Sequence, residues 1–257
     1  LSDTTAAVPG AKLTLSRWRL SATGTSIHGY FGGGTIPGTS PFSTMDKVTY
    51  ASDTTAAVPG AALSAARRYL AATGNSDAGY FGGGNPTSSL IDKVTYSSDT
   101  TAAVPGAALS VARQNLAATG NSTAGYFGGG PGPRSTMDKV TYSSDTTAAV
   151  SGAALSAARY GLAATGNSTS GYFGGGGPGP YSTMDKLTYS SETTAAVPGA
   201  ALSVARQYLA ASSARANALP EFPPITAEQS NTGYFGGGAS PSAVSTMDKT
   251  SFGSDTT

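Results

Sequence analysis

Apolar and polar residues alternate along this chain in short runs, none of which sustains the 3.6-residue period of a helix. The third of several similar units shows the pattern. Gln114–Thr119 is a brief apolar segment ending on the turn residues Gly120-Asn121-Ser122. Ala124–Gly130, AGYFGGG, reads as a second strand whose adjacent aromatics face opposite sides of a sheet. Its triple glycine lets the backbone leave the strand with φ values barred to other residues. Met137–Tyr142, MDKVTY, alternates in the half-buried manner of a third strand. Ser143-Ser144-Asp145 predicts a turn in which the aspartate bonds its own backbone two residues on. Thr146–Ala154 predicts an outer strand. Four of its copies carry a proline where Ser151 stands here, which suits an edge strand that can spare an N–H donor.

The whole run recurs. Ser-Asp-Thr-Thr begins at Ser2, Ser52, Ser98, Ser144 and Ser254, and as Ser-Glu-Thr-Thr at Ser191, giving spacings of 50, 46, 46, 47 and 63 residues. Such a period with four strand segments per unit predicts an all-β fold, a five-bladed β-propeller of four-stranded antiparallel blades. The blades fall at 14–63, 64–109, 110–155, 156–202, and 203–257 together with 1–13, in a single domain. The chain opens on an outer strand, Thr4–Leu13, and ends on a third strand, Ser245–Thr257. The N-terminal strand is therefore expected to complete the C-terminal blade and close the ring, which removes both open sheet edges. A chain that opens inside a repeat also reads as a fragment of something longer. One insertion, 212–231, breaks the symmetry, replacing the regular turn of the last blade with a proline-rich segment that carries Phe222.

Composition narrows the function. Charged residues make up 11% of the chain and its net charge is +1, so it lacks the basic excess that nucleic acid would require. No apolar run approaches the roughly 18 residues of a membrane span, so no membrane insertion is expected. The absence of cysteine excludes disulfides and thiolate ligands. His28 is the only histidine, and Ala78, Ala124, Ser170 and Thr232 stand at its equivalents, so the usual zinc and copper sites cannot be assembled. GYFGGG lacks the Lys-Ser/Thr of a phosphate loop and precedes no helix, and its glycines read as a strand exit. The expectation is a protein that is not an enzyme, with no catalytic residue, cofactor or metal.

The unit R-x-x-L-A-A-T-G-N…G-Y-F-G-G-G…M-D-K-V-T-Y…L-S-x-A-R resembles the kelch repeat in its glycine run, its third-strand tyrosine and its arginine before the next blade. The aromatic that opens the kelch fourth strand is missing here. The unit is also similar to the repeats of virion proteins of marine phages, especially cyanophage tail-fibre-like ones, over the whole chain except residues 213–231. That resemblance implies a place in a virion or on an extracellular surface.

Two sets of candidate residues follow. Arg17, Arg67, Arg113, Arg159 and Arg206 recur at the start of each first strand, and Asp46, Asp92, Asp138, Asp185 and Asp248, each followed by lysine, recur at the start of each third strand. Strand direction places both sets on one face, where Arg–Asp pairing would form a structural ring. A ring of anion sites around the channel mouth is the functional alternative. The loops between second and third strands share that face and differ between copies, which makes Thr35, Phe42, Pro131, Arg134 and Tyr181 the candidate binding residues, with Phe222 from the insertion. The expected function is a structural or adhesion module contacting protein neighbours in a virion or surface assembly. The alternative is a lectin-like propeller with one shallow site per blade, taking a host-surface glycan.

Overall fold

The computed structural model describes residues 7–132, 134–213, 232–240 and 242–256. Blade 1 holds β1 (Ser21–Gly24), β2 (His28–Gly32), β3 (Met45–Thr49) and β4 (Thr54–Ala57). Blade 2 holds β5 (Ala71–Gly74), β6 (Ala78–Gly82), β7 (Ile91–Thr95) and β8 (Thr100–Ala103). Blade 3 follows with β9 (Ala117–Gly120), β10 (Ala124–Gly128), β11 (Met137–Thr141) and β12 (Thr146–Ala149). Blade 4 comprises β13 (Ala163–Gly166), β14 (Ser170–Gly174), β15 (Met184–Thr188) and β16 (Thr193–Ala196). Blade 5 has β17 (Ala210–Ser213), β18 (Thr232–Gly236) and, after the hairpin β19 (Ala239–Ser240) and β20 (Ser242–Ala243), β21 (Met247–Ser251). Every blade is antiparallel and pairs its strands in chain order, so the fold is a five-bladed β-propeller.

The core lies between blades rather than within them. Four apolar clusters each draw side chains from two neighbouring blades. The Tyr-Phe pair of each second strand makes this possible. Tyr80 stacks forward on Tyr142 of blade 3, with ring centroids 4.8 Å apart, while Phe127 of blade 3 points back at Gly82. A Cβ on Gly82 would lie 2.7 Å from the Phe127 ring, so only glycine admits that packing. The next glycine, Gly83, has φ +71° and sits against the Arg113 carbonyl, a position closed to other residues.

The strands are shorter than the sequence pattern suggests. The outer strand ends at Ala149, and the segment with the recurrent proline forms a single 3-10 turn, as at Pro105–Ala107. The proline opens that turn, where its missing N–H costs nothing; it is not an edge-strand residue. Likewise β9 begins at Ala117, so Arg113 precedes the strand instead of opening it, and is held there by an isolated bridge to Ser88. Asp145 also departs from expectation. Its carboxylate reaches back to the preceding blade, accepting from Tyr80 Oη at 2.5 Å and Lys93 Nζ at 2.7 Å.

The junction of blades 5 and 1 differs from the other four. Residues 4–6 of the expected closing strand, Thr4–Leu13, lie outside the described residues. The described part, Pro9–Ala11, forms a 3-10 turn near β4, and the fourth-strand position of blade 5 begins with Thr256 bridging Ser251. Tyr234, Met247 and Tyr50 are 42%, 67% and 50% exposed, whereas their counterparts in the packed junctions are buried.

Candidate functional site

The strands carry loops of two kinds. At one end lie the long loops between second and third strands and the connections that enter each blade, and at the other end lie the tight turns. The five Arg-x-x-Leu segments belong to the loop end and run around the propeller axis. Their third positions, Arg19, Tyr69, Asn115, Gly161 and Tyr208, all have φ between +52° and +63°. The unusual backbone serves a chain of peptide hydrogen bonds from blade to blade. Tyr69 N donates to Arg19 O (2.9 Å), Asn115 N to Tyr69 O (2.9 Å), Gly161 N to Asn115 O (2.8 Å) and Tyr208 N to Gly161 O (2.6 Å). A left-handed residue costs on the order of 1 kcal/mol, and the bond each one forms offsets that cost.

These segments enclose a depression of about 500 Å³ on the axis. Its floor is a ring of leucines, Leu20, Leu70, Leu116, Leu162 and Leu209, and its rim is Trp18 with Arg19, Tyr69, Asn115, Gly161 and Tyr208, the second residue of the variable pair inside each Arg-x-x-Leu. Those pairs are Trp18-Arg19, Arg68-Tyr69, Gln114-Asn115, Tyr160-Gly161 and Gln207-Tyr208. Trp18 and Tyr208 are 45% and 52% exposed. The rim is lopsided, because Trp18, Arg19, Tyr69 and Tyr208 stand on blades 1, 2 and 5 while Asn115 and Gly161 leave the remaining arc low. Desolvation raises the pKa of Tyr208 above its ordinary value; neighbouring Tyr160 and Tyr69 raise it further, while Arg19 pulls the other way.

The recurrent Arg and Asp residues take another role. Arg113 Nη2 donates to Asp138 Oδ2 at 2.6 Å and to the Phe127 carbonyl at 2.9 Å, with both side chains buried. Arg17–Asp46 and Arg206–Asp248 pair at 2.7 and 2.6 Å, and Arg67–Asp92 and Arg159–Asp185 make the same contact. The backbone of each inner arginine belongs to the preceding blade: Arg113 N donates to Ser88 O, and Arg113 O accepts from Gly84 N. Arg67, Arg113, Arg159 and Arg206 therefore each bolt two blades together at guanidinium and peptide. Buried in this way, the pairs do not form an anion ring at the channel mouth. Desolvation lowers the pKa of Arg67, Arg113 and Arg159, and the facing aspartate opposes that shift.

The loop residues chosen from the sequence separate by position. Thr35 is fully buried, and its hydroxyl donates to the carbonyls of Ile36 and Thr39, so it ties its own loop and does not face a ligand. Phe42, Arg134 and Tyr181 occupy equivalent positions, half-buried, each with its carbonyl accepting from the arginine N–H that begins the next blade. Sequence variation there reflects a junction that fixes only the backbone. Pro131 is half-buried in its loop, and Phe222 lies outside the described residues. The rim pair was the missed signal. Two adjacent positions that never repeat as a pair, between an invariant Arg and an invariant Leu, mark a site where the scaffold leaves the side chain free.

Among the described residues no group of three or more His, Cys, Asp or Glu could hold a metal ion, and no helix is long and apolar enough to cross a membrane. No known family model matches this chain, and no curated protein does.

Proposed function

We propose that this chain is a non-enzymatic binding module that displays variable side chains from a constant ring. One observation carries the reading: a position at which near-identical blades differ, the third residue of each Arg-x-x-Leu, converges from all five blades, with Trp18, on one axial depression. Selection for folding alone would allow variation at any exposed position. The motif resemblance to phage virion repeats supports a finer version, in which the loop end contacts a receptor or a neighbouring chain of a virion or surface appendage. Exposed aromatic rings over an apolar floor also favour the glycan reading, since sugars lay their C–H faces on such rings.

The test is a variant in which the five pairs all become Gln-Asn, as in blade 3. The variant should keep the melting temperature of the parent, because the pairs contribute little to the blade junctions. It should lose binding on a glycan array and adsorption to host cells. Unchanged binding would move the function away from this face.

A further inference from the structure

Cations and anions are unevenly distributed on the described surface. Nine ion pairs occupy nine carboxylates: the five buried Arg–Asp pairs, and four pairs between a third-strand lysine and the acidic residue of the next blade's turn. The carboxylates left among the described residues are Asp53 and Asp77. Both lie in tight turns at the end of the strands opposite the depression. The loop end, by contrast, carries Arg19, Arg68 and Arg134, none in an ion pair.

One of these arginines, Arg19, stands on the rim, and Arg68 lies beside it next to Tyr69. Arg19 Cζ lies 3.5 Å from the Trp18 ring centroid and 4.3 Å from that of Tyr69, and Arg68 Cζ lies 5.8 Å from Tyr69. Arg68 Nε is fixed by Asn85 Oδ1 at 3.1 Å. A guanidinium that stacks uses its faces and keeps its N–H donors in the plane, pointing outward. No protein acceptor takes any donor of Arg19 among the described residues. The rings hold the side chain in place in advance, so binding an anion would cost little further ordering entropy. Among the described residues the stack occurs only between blades 1 and 2, which gives a ring of near-identical blades one distinct site.

We propose that this rim binds an anionic sugar, with Arg19 taking its carboxylate or sulfate and its ring lying against the exposed Trp18 and Tyr208 side chains. The proposal rests on the reading that the loop end is a binding face, and adds the ligand's charge. The depression accommodates a sugar ring or two on the low side by Asn115 and Gly161, where the Asn115 amide can meet hydroxyls. A neutral sugar would leave the arginine donors unused, and an acidic peptide would need a run of chain across a rim that offers one compact pocket.

Titration calorimetry with the full chain tests the idea, using a trimer of galacturonic acid, its methyl ester, a sulfated galactose trimer and an acidic hexapeptide. At least one acidic sugar should bind ten-fold or more tightly than the methyl ester, and the carboxylate and sulfate arms identify which anion is preferred. Arg19→Gln and Tyr69→Ala should each weaken that binding ten-fold or more at unchanged melting temperature, and Asp77→Asn, at the opposite end of the strands, should leave it as it was. Equal binding of acid and ester, preference for the peptide, or indifference to Arg19→Gln would each overturn the proposal. Binding of neutral sugars that the five-pair variant loses would sink the charge assignment alone. If no sugar or peptide binds and the five-pair variant still adsorbs to cells, the binding face itself has been misplaced.

Discussion

Arginine is the residue that carries both the framework and the site, in two different environments. Buried Arg113 has a carboxylate and a carbonyl within hydrogen-bond reach, whereas Arg19 has aromatic faces and no acceptor among the described residues. Removing Arg113 alone strands Asp138 in the interior, so Arg113→Met should cost about 3–5 kcal/mol by chemical denaturation. The double variant Arg113→Met/Asp138→Leu should cost clearly less than the two single changes added together, since an apolar pair leaves no buried charge. Strict additivity would show that the two side chains do not interact.

The turn carboxylates and buried tyrosines predict the pH dependence at the same scale. Burial alone would raise the carboxyl pKa of Asp99, Asp145 and Asp255, but hydrogen bonds from lysine and tyrosine of the preceding blade outweigh it and hold each below its ordinary value. A lowered folded-state pKa gives stability that is present above the unfolded value near 4 and is lost as pH falls through the folded one. Burial raises the pKa of Tyr80, Tyr126, Tyr142 and Tyr172, so their contribution is full below the unfolded value near 10 and is lost as pH rises further. The melting temperature should therefore be flat from about pH 5 to 9 and fall on both sides. Lys93→Met should make the acid limb shallower by releasing Asp145.

At the scale of the element, the 3-10 turn after each outer strand shows how local chemistry and packing agree. Val150 has φ −110° and ψ 98°, which matches Val104 at φ −112° and ψ 92° before the proline of the preceding copy. The backbone of the fourth turn is thus already set for proline, and Ser151 N makes none of the turn hydrogen bonds. Ser151→Pro should stabilise the protein by about 0.4–1 kcal/mol, mainly by restricting the unfolded chain. A loss of stability on denaturant titration would mean that the serine N–H or the φ of this copy differs from its siblings. Turn residues, the glycine exit and the alternation of each third strand are legible from the sequence, because each depends on its own few neighbours. Strand ends are less so: Asn115 and Leu116 look like strand residues, yet the bond from Asn115 N to Tyr69 O draws the segment toward the axis.

At the scale of the molecule, four junctions bury an aromatic stack, three of two tyrosines and one of Tyr172 on Phe252, and the fifth leaves its halves exposed. Tyr126 stacks on Tyr189 at 5.2 Å, whereas the equivalent Tyr234 and Tyr50 are both well exposed. Tyr126→Ala should therefore cost about 3–5 kcal/mol, and Tyr234→Ala should stay within about 0.5 kcal/mol of the parent. Equal losses from the two changes would mean that blades 5 and 1 pack in solution as the other pairs do. The comparison uses the same residue in the same motif, so burial is the main variable.

Repetition determined the blade count, the order of strands and the constant residues that had to serve structure, because a period near 46 residues is written directly along the chain. It also placed the arginines and aspartates at one end of the strands. Tertiary structure alone decided that those pairs are buried between blades, that Asp145 answers Lys93 and Tyr80 across a junction, and that Trp18, Arg19, Arg68 and Tyr69 form one stack. Each such contact joins residues far apart in the chain, through the angle at which one blade packs on the next. That angle is set by ring and glycine packing such as Phe127 on Gly82, a balance of side-chain volumes that no local pattern of apolar and polar residues records.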